Sequence, residues 1–278
     1  MKTVRFLSVI LCVAVLLCFA SCGKTDTDET TTAQSANEET ITSLLSTTLK
    51  SESESVPTQI LSEETTQEII QQSGLTSSST KEEIVNEYIK IYNNTRKNPN
   101  FTGTDNMEFS NLIVDGSENK TVENSFRKLA SLYSGANGIP LPPYEDGKDG
   151  VYSTQYSKTC LITADDIEQA SYTDNGNGTA TIRLVPKTCV NSSRYGDSQG
   201  KMFNVINFSS NEDGSFAEDL RVTNGGGWCE VTYKKSSLQM VNAKYVLKAD
   251  VYLKNPNLPL LKNKEIKFKM EYTSIYPQ

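Results

Sequence analysis

The chain has 278 residues, a formal charge of −7, 36% hydrophobic residues, six Cys and no His. Without imidazole, Ser-His-Asp and Cys-His mechanisms and the commonest transition-metal ligand are excluded, leaving carboxylate, Lys and Tyr chemistry. Residues 1–23 carry two basic and no acidic side chains, residues 24–80 two Lys against ten acids, and residues 81–278 23 basic against 24 acidic. The long carboxyl-terminal region is thus near neutral, with no electrostatic footprint for a nucleic-acid partner. It is large enough for one core that buries roughly 70% of the unfolded surface.

Lys2 and Arg5 precede an apolar run of 15 residues, Phe6 to Ala20. That run is too short for an ordinary membrane-spanning helix and has the layout of a secretory signal. Small residues then lead into a thiol in Phe19-Ala20-Ser21-Cys22-Gly23. This segment resembles a bacterial lipoprotein signal with its lipobox, although Phe19 stands where that family usually has Leu. The resemblance implies removal of a signal peptide at 1–21, a diacylglyceryl thioether on Cys22 and an extracytoplasmic chain anchored to the outer face of a membrane. The competing reading is an ordinary cleaved signal in which Cys22 is incidental.

Residues 24–80 hold 25 Ser or Thr and ten acids. Such a stretch buries too little apolar area to offset chain ordering, so residues 22–80 read as a lipid-anchored disordered tether. Its root-mean-square reach is ~40 Å. The rival reading is an acidic interaction tail.

The folded domain is expected over 81–278. Thr80-Lys81-Glu82-Glu83 is a capping box, and Ile84, Val85, Tyr88, Ile89, Ile91 and Tyr92 follow at helical spacing up to Asn98-Pro99. A second helix is expected from about Thr121 to Tyr133, and the Gly-Pro stretch 138–147 reads as a loop. The period then falls to two. Residues 168–173 and 179–186 flank Asp174-Asn175-Gly176-Asn177-Gly178 as a hairpin. Cys229 to Lys234, Val241 to Lys254 and Ile266 to Tyr272 alternate as three antiparallel strands, the middle one long enough to need twist or a bulge. The expected fold class is α+β, two amino-terminal helices packed on a long twisted antiparallel sheet ending in a three-strand meander.

Of the cysteines outside the signal, Cys160 and Cys189 lie just beyond the two arms of the hairpin. Their disulfide is the favoured pairing, with pairings to Cys229 left open. Asp165-Asp166-Ile167-Glu168 and Glu212-Asp213-Gly214 with Glu218-Asp219 lack the spacing of a calcium loop and read as caps and turns. Asn224-Gly225-Gly226-Gly227-Trp228 reads as a turn, since no Gly-Lys-Ser/Thr follows. Trp228 and Tyr233 are the candidate ligand contacts, against a reading in which Trp228 is buried at the sheet end. Residues 231–278 hold nine Lys against three acids. They either face an anionic surface or keep a long sheet soluble.

The order Leu161-Ile162-Thr163-Ala164-Asp165-Asp166-Ile167, Asn175-Gly176-Asn177-Gly178, Ile182-Arg183-Leu184 and Tyr272-Thr273-Ser274-Ile275-Tyr276 is similar to a group of surface lipoproteins of clostridia-like Gram-positive bacteria. That group has no assigned activity, so the resemblance implies a compartment and a domain boundary. The outline of helices over a curved sheet is also similar to lipid-carrier lipoproteins. The expectation is a non-catalytic surface module without cofactor or metal, joined to the membrane through acylated Cys22, that binds an envelope or cell-wall component or a partner protein. The alternative is a carrier holding a lipid or other apolar ligand on the dry face of the sheet. A third reading, a carboxylate-dependent glycan hydrolase, requires two acids about 5 to 10 Å apart in a cleft.

Overall fold

A computed structural model describes residues 74–146, 152–205, 217–257 and 261–277. The signal at 1–21, Cys22, nearly all of the tether, and Glu212-Asp213-Gly214 lie outside the described residues.

Helix α1, Lys81–Thr95, opens on the expected capping box: Glu83 N–H donates to the Thr80 hydroxyl at 3.3 Å, and Thr80 N–H donates to the Glu83 carboxylate at 2.7 Å. It is followed by strand β1, Gly103–Val114, and strand β2, Ser117–Glu118. Helix α2, Lys120–Tyr133, is capped by Asn119, whose side-chain oxygen accepts from Val122 N–H at 3.0 Å. Short strands β3, Asn137–Ile139, β4, Tyr144–Asp146, and β5, Tyr152–Ser157, come next. A 3-10 turn at Ala164–Asp166 leads into β6, Ile167–Asp174, and β7, Thr179–Pro186. After β8, Cys189–Val190, and the single-turn α3, Ser198–Met202, come β9, Ala217–Asn224, β10, Trp228–Lys234, β11, Gln239–Pro256, and β12, Glu265–Tyr276.

This is not the expected α+β arrangement of two amino-terminal helices on a sheet. The described chain is mostly antiparallel sheet, with ten strands in one sheet ordered β2-β1-β12-β11-β10-β7-β6 and with β3, β8 and β9 attached beside it. Only α1 precedes the strands; α2 is inserted after β1 and β2. The terminal meander is the middle of that sheet rather than its own unit, because β1 closes over β12. Two features hide β1 in the sequence. Its inward set runs Gly103, Asp105, Met107 and Phe109, with little hydrophobic signal, and its register breaks between Ser110 and Ile113 where Asn111 takes a positive φ of 53°. The Gly-Pro stretch likewise contains β3 and β4 rather than loop alone.

Strand β11 organises the sheet. Its 18 residues extend ~60 Å at the usual rise. One edge pairs with β12 from Ala243 to Lys254. The other edge is shared: β10 pairs over Gln239 to Val246, and β9 over Ala249 to Pro256. The segment Gly225-Gly226-Gly227, read as a turn from sequence, is a break in what would otherwise be one long strand. Gly226 has a φ of 71°, and a Cβ on Gly227 would stand 2.6 Å from the Val246 carbonyl oxygen.

The two faces of the sheet differ. On the dry face α1 buries Ile84, Val85, Tyr88, Ile91 and Tyr92 in the same cluster as Ile182, Val231, Tyr245 and Leu247. The Thr95 hydroxyl donates to Ile91 O at 2.8 Å and accepts from Met240 N–H at 2.9 Å, fastening the helix end to β11. Phe126 of α2 meets Phe109 and Phe268 with ring centroids 5.6 and 5.3 Å apart. The edge of β1 is blunted as well: Met107 N–H donates to the Ser134 hydroxyl at 2.9 Å and Gly135 N–H to Asp105 O at 2.7 Å. Chain just beyond α2 thus occupies edge groups that would otherwise recruit another strand.

Replacing Gly227 with Ala forces a backbone contact that neither strand relieves, and the expected cost is about 2 to 3 kcal/mol of unfolding free energy. Chemical denaturation checks this against Gly74→Ala, where the added methyl meets nothing within 4 Å. Equal stability of the two variants would show that the strand break is pliable.

Candidate functional site

Alternation along the central strands separates the sites named from sequence. The exposure pattern of β10 is half-buried at Trp228, Glu230 and Thr232 and buried at Cys229, Val231 and Tyr233. Trp228 and Tyr233 are an odd number of residues apart, so the pleat sends them to opposite faces. Tyr233 is fully buried on the dry side and so does not share a surface with Trp228. Trp228 lies on the wet face opposite Val246 of β11. Its ring is covered by the Arg183 guanidinium, 3.9 Å from the centroid, with Lys244 Nζ at 5.5 Å.

The wet face continues with the even-numbered residues of β11. Tyr252 lies opposite both Arg221 of β9 and Lys267 of β12, with the two cations 6.0 and 5.5 Å from its ring centroid. The Trp228 and Tyr252 positions fall six residues apart along β11, ~20 Å at the usual rise. Each ring is held between basic side chains.

Beside α2, over β1, β12 and β11, runs a cleft of about 680 Å³. Met107 and Phe109 of β1, Met270 of β12 and Ala249 of β11, all of the dry set, lie along it, and the residues that alternate with them, Asn106, Glu108, Ser110, Lys269, Glu271, Lys248 and Asp250, border it through the same stretch of strand. Arg127 and Ser131 of α2 wall one side, and Gly225 at the strand break borders it as well. In register, one row reads Glu108, Glu271, Lys248 and the next Ser110, Lys269, Asp250. Lys248 approaches Glu271, and Lys269 approaches Asp250, both at 3.5 Å with half-exposed side chains. The Glu108 carboxylate accepts from the Asn106 amide at 3.0 Å. Arg127 is held by Glu123 through bonds of 2.7 and 3.1 Å.

None of the cleft's charged residues was named as a site from sequence. The signal existed as the alternation Asn106, Glu108, Ser110 against Met107 and Phe109, but it identifies a floor only once β1 is known to lie beside β12.

The lysine excess of residues 231–278 dissolves in the fold. Lys235 meets Asp174 at 2.7 Å, Lys264 meets Asp115 at 2.6 Å, Lys267 meets Glu265 at 2.7 Å, and Lys254 pairs with Glu218. With Lys248 and Lys269, six of the nine lysines face a carboxylate, several from distant parts of the chain. The acids of the hairpin turn and of β9 serve here as partners and caps. Lys235 holds the Asp174 carboxyl below the usual carboxylate range, aided by Gly176 N–H.

Asp166 shows the same structural use of an acid. It caps the 3-10 turn through Thr163, accepts from the Ser198 hydroxyl at 3.0 Å and receives Lys201 Nζ at 2.9 Å. Burial raises its affinity for a proton, but the bonds from Lys201, Thr163 and Ser198 together outweigh burial and hold the carboxyl below its ordinary value. Among the described residues no group of three or more Cys, Asp or Glu is placed to hold a metal ion.

The expected Cys160–Cys189 disulfide is absent: Cys160, Cys189 and Cys229 are free thiols. Cys160 is buried near α1, where its N–H donates to the Asn93 side chain. Cys189 sits half-buried in β8 opposite Asn224 of β9. The mirror symmetry about the hairpin turn fails because the chain beyond β7 crosses to the β9 half of the sheet. Burial pushes the thiols of Cys160 and Cys229 up to about 12. Both lie close to Tyr88, and Cys229 also to Tyr245; the two phenolic hydroxyls are 3.0 Å apart, and burial opposes their ionisation as well.

No family model matches the sequence, and neither a curated protein nor a solved structure is detectably similar to it.

Two measurements follow. In the native protein a disulfide-exchange reagent such as Ellman's is expected to titrate Cys189 quickly and to reach Cys160 and Cys229 only after denaturation; a Cys160–Cys189 bond would instead leave no rapidly reacting thiol in the domain. Asp166→Asn is expected to cost about 2 to 3 kcal/mol at neutral pH. Because the folded state depresses this carboxyl, its contribution is present above the unfolded value and is lost as pH falls through the folded one. The gap between wild type and variant should therefore close below about pH 4. A gap constant from pH 7 to pH 3 would assign the loss to packing.

Proposed function

We propose that the chain is a surface lipoprotein, tethered through acylated Cys22, whose domain is a non-catalytic binding module for an envelope component. The observation that supports this reading is the open wet face of β1, β12 and β11, where half-exposed ion pairs of both signs lie in register, set opposite a dry face packed by two helices. The wet face presents ionic groups of both signs in half-exposed pairs, which a ligand can replace at low cost. The anchor rests on the sequence Phe19-Ala20-Ser21-Cys22-Gly23 and the acidic, Ser/Thr-rich segment that follows it.

Expression in a Gram-positive host of the wild type and of Cys22→Ser, with labelled fatty acid, tests the anchor. The wild type is expected in the membrane fraction carrying label, and the variant unlabelled and released. The released variant then tests the module: it should sediment with purified cell-wall sacculi, and Lys248→Glu with Lys269→Glu should weaken that association about tenfold, or ~1.4 kcal/mol. A chain that remains in the supernatant with sacculi would overturn the binding reading.

A further inference from the structure

We infer that the free edge of β6 takes up an extended segment of a partner protein as a further strand, and that this segment carries a basic side chain which pairs with Glu87. Among the described residues the other edges of the sheet are closed or charged. β1 is covered by β2, β3 and the chain after α2. β9 is covered by β8 at Thr223 and Asn224 and by Asn191, which bonds both main-chain groups of Val222 at 2.7 and 2.8 Å. The rest of β9 carries Glu218, Asp219 and Arg221, charges that discourage pairing. β6 ends the order of strands and pairs with β7 alone. Asn175 N–H donates to Thr179 O at 3.1 Å, which sets the phase of that ladder. Gln169, Ser171 and Thr173 therefore turn their main-chain groups to β7, and Ala170 and Tyr172 turn theirs outward. Lys81 Nζ closes only the start of the edge, at Ile167 O, 2.9 Å away. From Gln169 to Thr173 the edge has no charge and no Pro, the devices that usually blunt one.

The charge beside the edge decides what fits it. The side chains of Ala170 and Tyr172 are half-buried against the same core as α1, so a strand added at β6 lays every second side chain along the flank of that helix. Glu87 of α1 is 5% exposed. Its Oε1 is buried without a hydrogen-bond partner among the described residues, and its Oε2 has Lys90 Nζ at 3.5 Å, on a side chain that is 53% exposed. A carboxylate buried with so little compensation is costly to the fold. Its field reaches the edge: burial, Asp174 and Glu87 raise the Tyr172 phenol above its ordinary value, against the pull of Lys235. Together β6 and α1 carry five acids against two lysines, and the third cation nearby, Lys235, is held by Asp174 at 2.7 Å. A basic side chain on the added strand takes the place of Lys90 at Glu87, and Lys90 returns to water. The chain's own segments do not answer this charge. β6 has no basic residue to offer in a self-paired edge, and residues 24–80 hold two Lys against ten acids. A basic strand from another protein does.

Isothermal titration of the full chain carrying Cys22→Ser, at low ionic strength, tests the assignment with a capped pentapeptide, Val-Thr-Lys-Thr-Val, with its analogue bearing norleucine for lysine, and with forms N-methylated at alternate peptide bonds. The lysine peptide is expected to bind, and norleucine to weaken binding at least ~10-fold. N-methylation should weaken it at one alternate set of bonds and not at the other, as a strand bonded on a single side requires. Glu87→Gln should bring the lysine and norleucine peptides to equal affinity while keeping the N-methyl penalty, and its thermal melt should match or exceed the parent's. Ala170→Pro removes an outward donor and leaves the β7 ladder intact, so it should abolish binding. Gln169→Lys with Thr173→Lys charges the exposed face of the edge without touching its main chain; it should weaken binding too, and it carries the test if the Pro variant melts early. No affinity for the lysine peptide, equal penalties at both sets of bonds, or a lysine preference that survives Glu87→Gln would overturn the assignment. So would a dimer in sedimentation that Ala170→Pro dissolves, since a second copy would then hold the edge. The wet-face reading is decided separately, by the sacculi.

Discussion

The two-residue alternation of β11 from Asn242 to Lys254, beyond a bulge at Val241, is the constraint on which the rest of the molecule depends. Over that stretch it keeps Ala243, Tyr245, Leu247, Ala249, Val251 and Leu253 dry and Lys244, Lys248, Asp250 and Lys254 exposed, while Val246, opposite Trp228, is buried on the other face. A slip of one residue would exchange the two sets and bury four charges. Register is defended at three places: by the Thr95 bond to Met240, by the phenolic contact of Tyr88 with Tyr245, and by the close approach of Gly227 to the Val246 carbonyl. With register fixed, both helices are confined to the dry face or to the sheet edge, and the wet face is left open over three adjacent strands.

That constraint also explains which parts of the architecture could be read from the chain. The first helix was legible because a reciprocal cap and a helical apolar stripe agree at Thr80 to Tyr92. The paired strands β6 and β7 were legible because alternation and a Gly-rich turn coincide. The class of the fold was misjudged at β1, where Asp105 sits on the inward set and a bulge resets the phase at Asn111. Asp105 tolerates burial because Ala136 N–H donates to one carboxylate oxygen and the Tyr272 hydroxyl to the other, partners drawn from after α2 and from the last strand. No local pattern announces such partners. The same strand supplies five of the sixteen residues that line the cleft, so the site disappeared with it.

Pairing Trp228 with Tyr233 failed for a different reason, since their separation already sends them to opposite faces. The Cys160–Cys189 pairing failed on topology. Distance from a turn measures proximity only while the chain stays in the hairpin, and Cys189 has left it to join β9. The lysine excess at the carboxyl end misled because charge was counted by segment, whereas the sheet brings acids from Asp115, Asp174 and Glu218 to meet it.

The ionic contacts of the wet face set its chemical character. Pairs such as Lys248–Glu271 and Lys269–Asp250 are long and half-exposed, and contacts of this kind contribute ~0 to 1 kcal/mol and weaken with salt. They stabilise the fold little, so a ligand that takes one partner away costs the fold little. Asp166 differs: buried, with four donors on two oxygens, it joins the 3-10 turn to α3 and cannot be surrendered cheaply. The chain thus keeps its structural charge in the interior and its exchangeable charge on the open face. An exposed row of opposite charges resists simple ions of either sign, because each meets a like neighbour within one residue pair. Selectivity on such a surface comes from the spacing of charges in the ligand rather than from net attraction, so affinity should fall less steeply with salt than for a lysine-rich patch binding a polyanion.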